Sequence, residues 1–390
     1  MADVIIPSRI LMGPGPSNIH SRVLQAMALP TLGHMDPLYF KLMDQLAANL
    51  KTIFRTSAPL TLTLPVTGMG AMEACLVNLL EPGDEALFCV AGFFANRMPE
   101  IAKRLGVKVH VLETPWGGNT APEKLAAALK ANKIKLVGLV HGETSTGVVQ
   151  TNLPEIAKLC HDNGALLLVD TVASLGGVDF ETEKWDIDAV YTGSQKCLSA
   201  PPGISPLTFG PRAEDALKKR KTPCASWYMD LGLIRKYWDE TRAYHHTGPI
   251  HLTYALLEAV KLMNEEGHEA RLARHAKAAK ALQAGFEAMG LKLFVEDPKN
   301  RLATVTTVCI PDGCDDKKVR KALIDRHSLE VGGGIGQLAG KTWRVGLMGE
   351  GARANHVLIL LSALGGILKA EGHKVHAGAG VEAAAAVLLT

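Results

Sequence analysis

Between about residue 20 and residue 210 the chain alternates short apolar runs with segments of helical period. Thr61-Leu-Thr-Leu-Pro-Val66 predicts a strand, followed by a helix over 70–80. Glu85-Ala-Leu-Phe-Cys-Val90 predicts a second strand, with a helix over 95–105. Val107-Lys-Val-His-Val-Leu112 and Lys135-Leu-Val-Gly-Leu-Val-His141 precede helices over 122–131 and 153–163, and Ala165-Leu-Leu-Leu-Val-Asp170 follows. Strands that are apolar on both faces and separated by helices indicate a mostly parallel sheet with helical cover. Such sheets place ligands beyond the carboxyl ends of their strands. Asp170 and the loops after 66 and 141 lie at such ends.

The texture changes in the second half. Residues 249–288 read as one long helix or two, with Gly267 the natural break. Leu302-Ala-Thr-Val-Thr-Thr-Val-Cys-Ile310 alternates polar and apolar positions, which predicts an antiparallel strand with one wet face. A helix over 316–326, Gly332-Gly-Gly334, a strand around Trp343-Arg-Val-Gly346 and a helix over 354–370 complete the pattern. The expected architecture is α/β: an N-terminal arm over 1–20, a large domain over 21–266, and a smaller α+β domain over 267–390. The last of these ends in an Ala-rich tail (374–390) that predicts one more helix.

Composition narrows the class. Hydrophobic residues are 47% and charged residues 21% of 390, with net charge +3, as in an ordinary globular protein large enough for two domains. The one compact basic run, Lys218-Lys-Arg-Lys221, lacks aromatic interleaving and reads as a solvated helix end, so no nucleic-acid partner is expected. No apolar run reaches membrane-spanning length, and Met-Ala-Asp-Val-Ile-Ile-Pro lacks the charge and apolar core of a signal peptide. Seven cysteines without a CxxC pair fit free thiols in a reducing compartment. Together with a C-terminus that is not a peroxisomal tripeptide, this makes the cytoplasm the expected location. Fourteen histidines show no HExxH, and the adjacent His245 and His246 cannot share one face of a regular element, so no metal site is expected.

The candidate chemistry sits at strand ends. Leu166-Leu-Leu-Val-Asp170 finishes in a carboxylate, and Tyr191-Thr-Gly-Ser-Gln-Lys196 reads as a short strand finishing in a lysine among small residues. An acid and an amine at one sheet edge suit a pyridoxal phosphate enzyme. There the lysine holds the cofactor as an imine, and the carboxylate keeps its pyridine nitrogen protonated. The same two residues also fit strand ends at an ordinary loop. Thr67-Gly-Met-Gly-Ala-Met-Glu73 opens a helix with exposed backbone N–H groups, a phosphate seat or simply a tight connection. It fails as a dinucleotide fingerprint because Glu73 occupies the third glycine position. His141-Gly-Glu-Thr-Ser-Thr-Gly147 is either a polar loop or a lining for a cofactor ring. Phe93-Phe94 offers a stacking plate or a piece of core. Arg344, inside an apolar strand, needs a partner: a substrate carboxylate or an internal ion pair.

Taken together these blocks resemble the class V, fold type I aminotransferases, and most closely the alanine–glyoxylate/serine–pyruvate group. The resemblance rests on Gly13-Pro-Gly-Pro-Ser-Asn18, His141-Gly-Glu-Thr-Ser-Thr-Gly147, Val169-Asp-Thr-Val-Ala-Ser-Leu-Gly-Gly177, Gly193-Ser-Gln-Lys-Cys-Leu-Ser-Ala-Pro-Pro-Gly203 and Tyr244-His-His-Thr247. It implies a fold type I scaffold and pyridoxal 5'-phosphate as cofactor. Lys196 matches the Schiff-base lysine and Asp170 the partner of the ring nitrogen. Thr67, Gly68 and Met69 match the phosphate turn, joined by Gln195. Thr144 stands near the ring, Val172 against one face, and Phe94 in the stacking position where close relatives often carry tryptophan. Met69 stands where many relatives have histidine. Tyr244 and Thr247 match a pair that reaches the phosphate of the neighbouring subunit, which implies a homodimer. Arg344 matches the arginine that holds the substrate carboxylate.

The resemblance implies ping-pong transfer of an amino group from a small L-amino acid, alanine or serine, to glyoxylate or pyruvate. Relatives on the same scaffold use other donors. Ureidoglycine–glyoxylate enzymes usually carry asparagine where this chain has Trp227. Pyridoxamine–pyruvate enzymes have an acidic residue in place of Thr67. Aspartate–glyoxylate enzymes resemble Gly334-Ile-Gly-Gln-Leu-Ala-Gly340. A cysteine desulfurase would need a mobile cysteine, whereas Cys309 falls in a strand and Cys314 in a turn. A non-enzymatic nucleotide-binding α/β protein is the remaining alternative.

Overall fold

The computed structural model describes residues 5–390. Its main sheet has seven strands in the spatial order Leu60–Leu64, Ser205–Phe209, Ala189–Tyr191, Leu166–Asp170, Leu136–Val140, Glu85–Val90, Lys108–Glu113. Five of these, from Ala189–Tyr191 to Lys108–Glu113, run parallel to one another, while Ser205–Phe209 is antiparallel to both of its neighbours. The period of two sorts side chains onto the two faces. Leu167, Val169, Val137, Leu139, Leu87 and Val190 enter one core cluster, and Leu168, Leu136, Phe88, Ala189, Tyr191 and Leu207 enter the other. Each fully buried Leu or Val stabilises the fold by about 1.5–3 kcal/mol relative to exposure, so this patterning fixes the register.

The crossover order reverses between Glu85–Val90 and Leu136–Val140. The chain leaves the first of these strands outward to Lys108–Glu113 and returns on its other side. The carboxyl ends beside that reversal carry Phe94 and the 141–147 loop, where an open α/β sheet binds its ligand.

Most predicted elements form within a residue or two of expectation, among them helices Gly68–Leu79, Pro122–Ala131, Asp316–His327, Ala354–Ala370 and the tail helix Ala377–Leu389. Gly267, at φ +84°, breaks the long helical stretch into Ile250–Glu266 and His268–Ala288. Helix Pro37–Phe54 has no counterpart in the sequence reading, although Asp36 caps it through Leu38 N–H and Pro37 occupies its first turn.

Two expectations are corrected. The strand leading to Lys196 ends at Tyr191, and Lys196 sits in the turn that follows. Val305–Cys309 is antiparallel as expected, in a three-stranded sheet with Thr342–Gly346 and Gly332–Gly333, but it has no wet face. Thr306 and Thr307 are buried, and the Thr307 backbone and hydroxyl lie against Gly147 of the large sheet's loop. Polar alternation here marks contact with a second sheet's loops, not with water. A third core cluster joins helices 268–288, 354–370 and 377–389 to this small sheet and to Met12. The N-terminal segment is tied down at Ile10–Leu11 by parallel pairing with Leu329–Glu330.

Candidate active site

Asp170 ends its strand buried, with both carboxylate oxygens already engaged. Oδ1 accepts the Val172 N–H at 2.7 Å and Oδ2 accepts the Tyr191 hydroxyl at 2.7 Å. Burial pushes its carboxyl up to about 6, against the pull of those two donors. Lys196 projects from the turn after Tyr191, and its Nζ donates to the Pro14 carbonyl. Burial, followed by the nearby Arg344 charge, brings its ammonium down to about 8. The N-terminal segment crosses directly over this lysine. Gly15 has φ +103°, and a Cβ there would stand 2.5 Å from the Lys196 side chain, so only glycine permits the crossing. Ser17 fastens it by donating N–H to Gln195 O at 2.8 Å and Oγ to Lys196 O at 2.7 Å.

Thr67, Gly68, Met69, Phe94, Thr144, Asp170, Val172, Gln195 and Lys196, nine of the twelve residues singled out from the sequence, line one cavity. Helix Gly68–Leu79 starts at its rim. Thr67 is the N-cap but makes no side-chain cap bond, which leaves the first-turn N–H groups open toward the cavity. A Cβ on Gly68 would meet Val172 at 2.9 Å, so glycine lets the helix end approach. The Gln195 Oε1 is buried without a partner among the described residues.

The remaining three stand apart from that cavity lining. Arg344 is buried in Thr342–Gly346 and donates Nε to Gly333 O at 2.8 Å and Nη1 to Thr144 O at 3.4 Å. It has no ion pair among the described residues, so the internal-salt-bridge alternative is not what holds it. Tyr244 and Thr247 are exposed on the surface. Between them, His245 and His246 do meet, Nδ1 to Nδ1 at 2.9 Å, because they lie in an irregular segment rather than a regular element. That corrects the geometric ground on which they were set aside. No group of three His, Cys, Asp or Glu side chains among the described residues is placed to hold a metal.

Two charged groups escaped the sequence reading. Glu143 accepts from Ala95 N–H at 3.0 Å, Ser145 N–H at 2.9 Å and Ser145 Oγ at 2.6 Å, and Ser145 Oγ in turn accepts Phe93 N–H at 3.0 Å. One carboxylate thereby clamps the turn that presents Phe94 to the loop that presents Thr144. Arg271 and Arg274 share Glu266 and bond the carbonyls of Gly176, Cys197, Gly349 and Ala352, which anchors the segment after Lys196. An acid inside a Gly-Glu-Thr-Ser-Thr-Gly run, and an Arg-x-x-Arg after a helix-breaking glycine, are the only local signals of these roles.

Known proteins resemble this chain along most of its length. The family described as Aminotransferase class-V matches residues 17–343. Alanine–glyoxylate aminotransferase of Drosophila melanogaster is 41% identical over 362 residues, 92% of each chain. The solved alanine–glyoxylate aminotransferase of a Nostoc species superposes with TM-score 0.92 at 46% identity, over 94% of this chain and 97% of that one. The ureidoglycine–glyoxylate aminotransferase of Bacillus subtilis superposes with TM-score 0.97 at 38% identity, over the whole of both chains. The chain belongs to the class V aminotransferases, fold type I enzymes that depend on pyridoxal phosphate.

Proposed function

We propose that this aminotransferase moves the amino group of L-alanine or L-serine to glyoxylate or pyruvate by a ping-pong reaction, and that it does so as a homodimer in the cytoplasm. The observation that carries the reading is the single cavity that joins Asp170 to Lys196, with Arg344 tethered behind Thr144. The seven free cysteines support a reducing compartment, and no helix among the described residues is long and apolar enough to cross a membrane. Separate core clusters support the division at residue 267.

The residues fit the cofactor. The open first turn at Gly68 suits a phosphate, to which the Gln195 side-chain NH2 would donate, Phe94 and Val172 suit the two faces of a ring, and Asp170 suits a protonated ring nitrogen. When bound, pyridoxal phosphate supplies a carbonyl for the substrate amine and a ring that takes up the electrons released at Cα. This chain's side chains do the rest. Arg344 binds the α-carboxylate through its guanidinium fork. Lys196, with its ammonium near 8, holds a neutral fraction at physiological pH and moves the proton from Cα. Asp170, with its carboxyl near 6, is charged at that pH and keeps the ring-nitrogen proton in place. Tyr244 and Thr247, exposed here, donate to the phosphate in a second copy's cavity.

Initial rates with alanine and glyoxylate test the reading. Parallel double-reciprocal lines are expected, with serine second to alanine as donor. Intersecting lines would reject ping-pong transfer. Ureidoglycine is the second candidate donor, because the Bacillus subtilis enzyme matches this chain end to end, tail helix included. Against it, Trp227 is exposed and stacks on His245 at 4.6 Å. Preference for ureidoglycine, aspartate or pyridoxamine would keep the Lys196 chemistry and change the substrate.

A further inference from the structure

Asp170 and Tyr191 are register partners on adjacent parallel strands. Both belong to the sheet face covered by helix Gly68–Leu79: Leu168, two residues before Asp170, and Ala189, two before Tyr191, enter the same cluster. The phenol therefore has one place to go. Its ring packs fully buried among Leu207, Phe209 and Cys75, and its hydroxyl reaches Asp170 Oδ2 at 2.7 Å. The Val172 N–H holds the other oxygen at 2.7 Å. With one donor on each oxygen, the carboxylate cannot rotate about its last bond without losing both.

We propose that Tyr191 is a positioning residue for Asp170: its hydroxyl fixes one carboxylate oxygen and favours the charged form that a protonated ring nitrogen requires. This rests on the assignment of Asp170 as the ring-nitrogen partner. The other titratable neighbours cannot substitute. Cys75, from the covering helix, is held neutral because burial pushes its thiol well up. Glu143, beyond the adjacent strand, is an acid and disfavours a second negative charge. Lys196 favours the charged form, but less than the Tyr191 hydroxyl does, and it is committed to the reaction. Among the side chains that favour the charged form, the Tyr191 hydroxyl acts first against burial. A hydrogen bond to a charged acceptor is worth about one to two pH units of displacement.

Tyr191→Phe removes one O–H and leaves the apolar packing intact. The test measures the dissociation constant of pyridoxamine phosphate for the wild-type chain and for the variant between pH 5.5 and 8.5. The ligand's own ionisation cancels in the ratio of the two constants. The ratio is expected to stay within about twofold at pH 8.5 and to rise to roughly fivefold or more at pH 6. In an Asp170→Asn background the same substitution should produce no pH-dependent ratio. A ratio that stays at one, or that is raised equally at every pH, would overturn the proposal, since the phenol would then be packing alone. Failure of the wild-type chain to bind the ligand at all would instead remove the assignment of Asp170. Steady-state kinetics give a second readout: the acid limb of kcat/KM should move up by about one pH unit in the variant, and an unmoved limb would count against the role.

Discussion

Two clusters of charge flank the Lys196 turn, and the fold treats them in opposite ways. At the junction behind it, Arg271 and Arg274 enclose Glu266 at 2.5–3.0 Å, and their remaining donors meet four backbone carbonyls. Burial alone would raise the Glu266 carboxyl, yet the two guanidiniums outweigh it and bring it down to about 2. In the cavity in front, Asp170 and Lys196 have hydrogen-bond partners but no ion pair among the described residues, and burial drives them toward each other, to about 6 and about 8. Matched charge secures a joint; charge left short of its partner is ready to bind a cofactor and move a proton. The contrast separates structural from functional ionisation within one stretch of backbone, since Cys197 O is held by Arg271 one residue after Lys196.

The sharpest break of this comparison is Lys196→Ala, which should lower turnover by about a thousandfold or more while leaving the denaturation midpoint near wild type. Normal turnover in that variant would remove the lysine from the chemistry. Next in size is Glu266→Ala. It leaves the 5%-exposed Arg271 side chain without its carboxylate, and since Glu266 is itself part-exposed and Arg271 keeps two carbonyl partners, urea denaturation should show a loss of about 2–3 kcal/mol. A loss below about 1 kcal/mol would place the junction among ordinary surface pairs.

The pH dependence of the cofactor-free chain should show the two clusters as opposite slopes. Asp170 has a folded value near 6, above its ordinary 3.8, so the stability it contributes is complete below about pH 4 and is lost as pH rises to about 6. That difference corresponds to about 3 kcal/mol. Glu266, near 2 against an ordinary 4.5, contributes stability above about pH 4.5 and loses it as pH falls toward 2. Asp170→Asn should flatten the first window and Glu266→Gln the second; an unchanged profile in either variant would refute that assignment. Smallest is Arg344→Ala, expected to raise KM for α-carboxylate substrates about ten- to a hundredfold with a lesser change in kcat. Unchanged kinetics would make this arginine purely structural.

Much of the scaffold was legible because burial on both faces writes itself into runs such as Leu166-Leu-Leu-Val-Asp170, and because Gly267 acts locally. What was missed depends on tertiary contact. Thr306 and Thr307 carry the alternation of a wet strand, yet both are buried, and Thr307 lies against the loop at Gly147. The strand before Lys196 stops at Tyr191, because the chain must turn there to bring Ser17 onto Gln195 and Lys196. Asp170, Lys196 and the cavity wall could be named from motifs that stay contiguous in sequence. Glu143, Tyr191 and the Arg271–Glu266 joint could not, since their partners are fixed by strand register and by helices distant in the chain. His245 and His246 meet only because the segment is irregular, which no period reveals.

The most direct test of the account follows the visible spectrum of the holoenzyme after L-alanine is added with no acceptor present. Complete conversion of the bound cofactor is expected, with one equivalent of pyruvate released and full recovery of the starting spectrum when glyoxylate is added. A spectrum that stays unchanged until both substrates are present would contradict it.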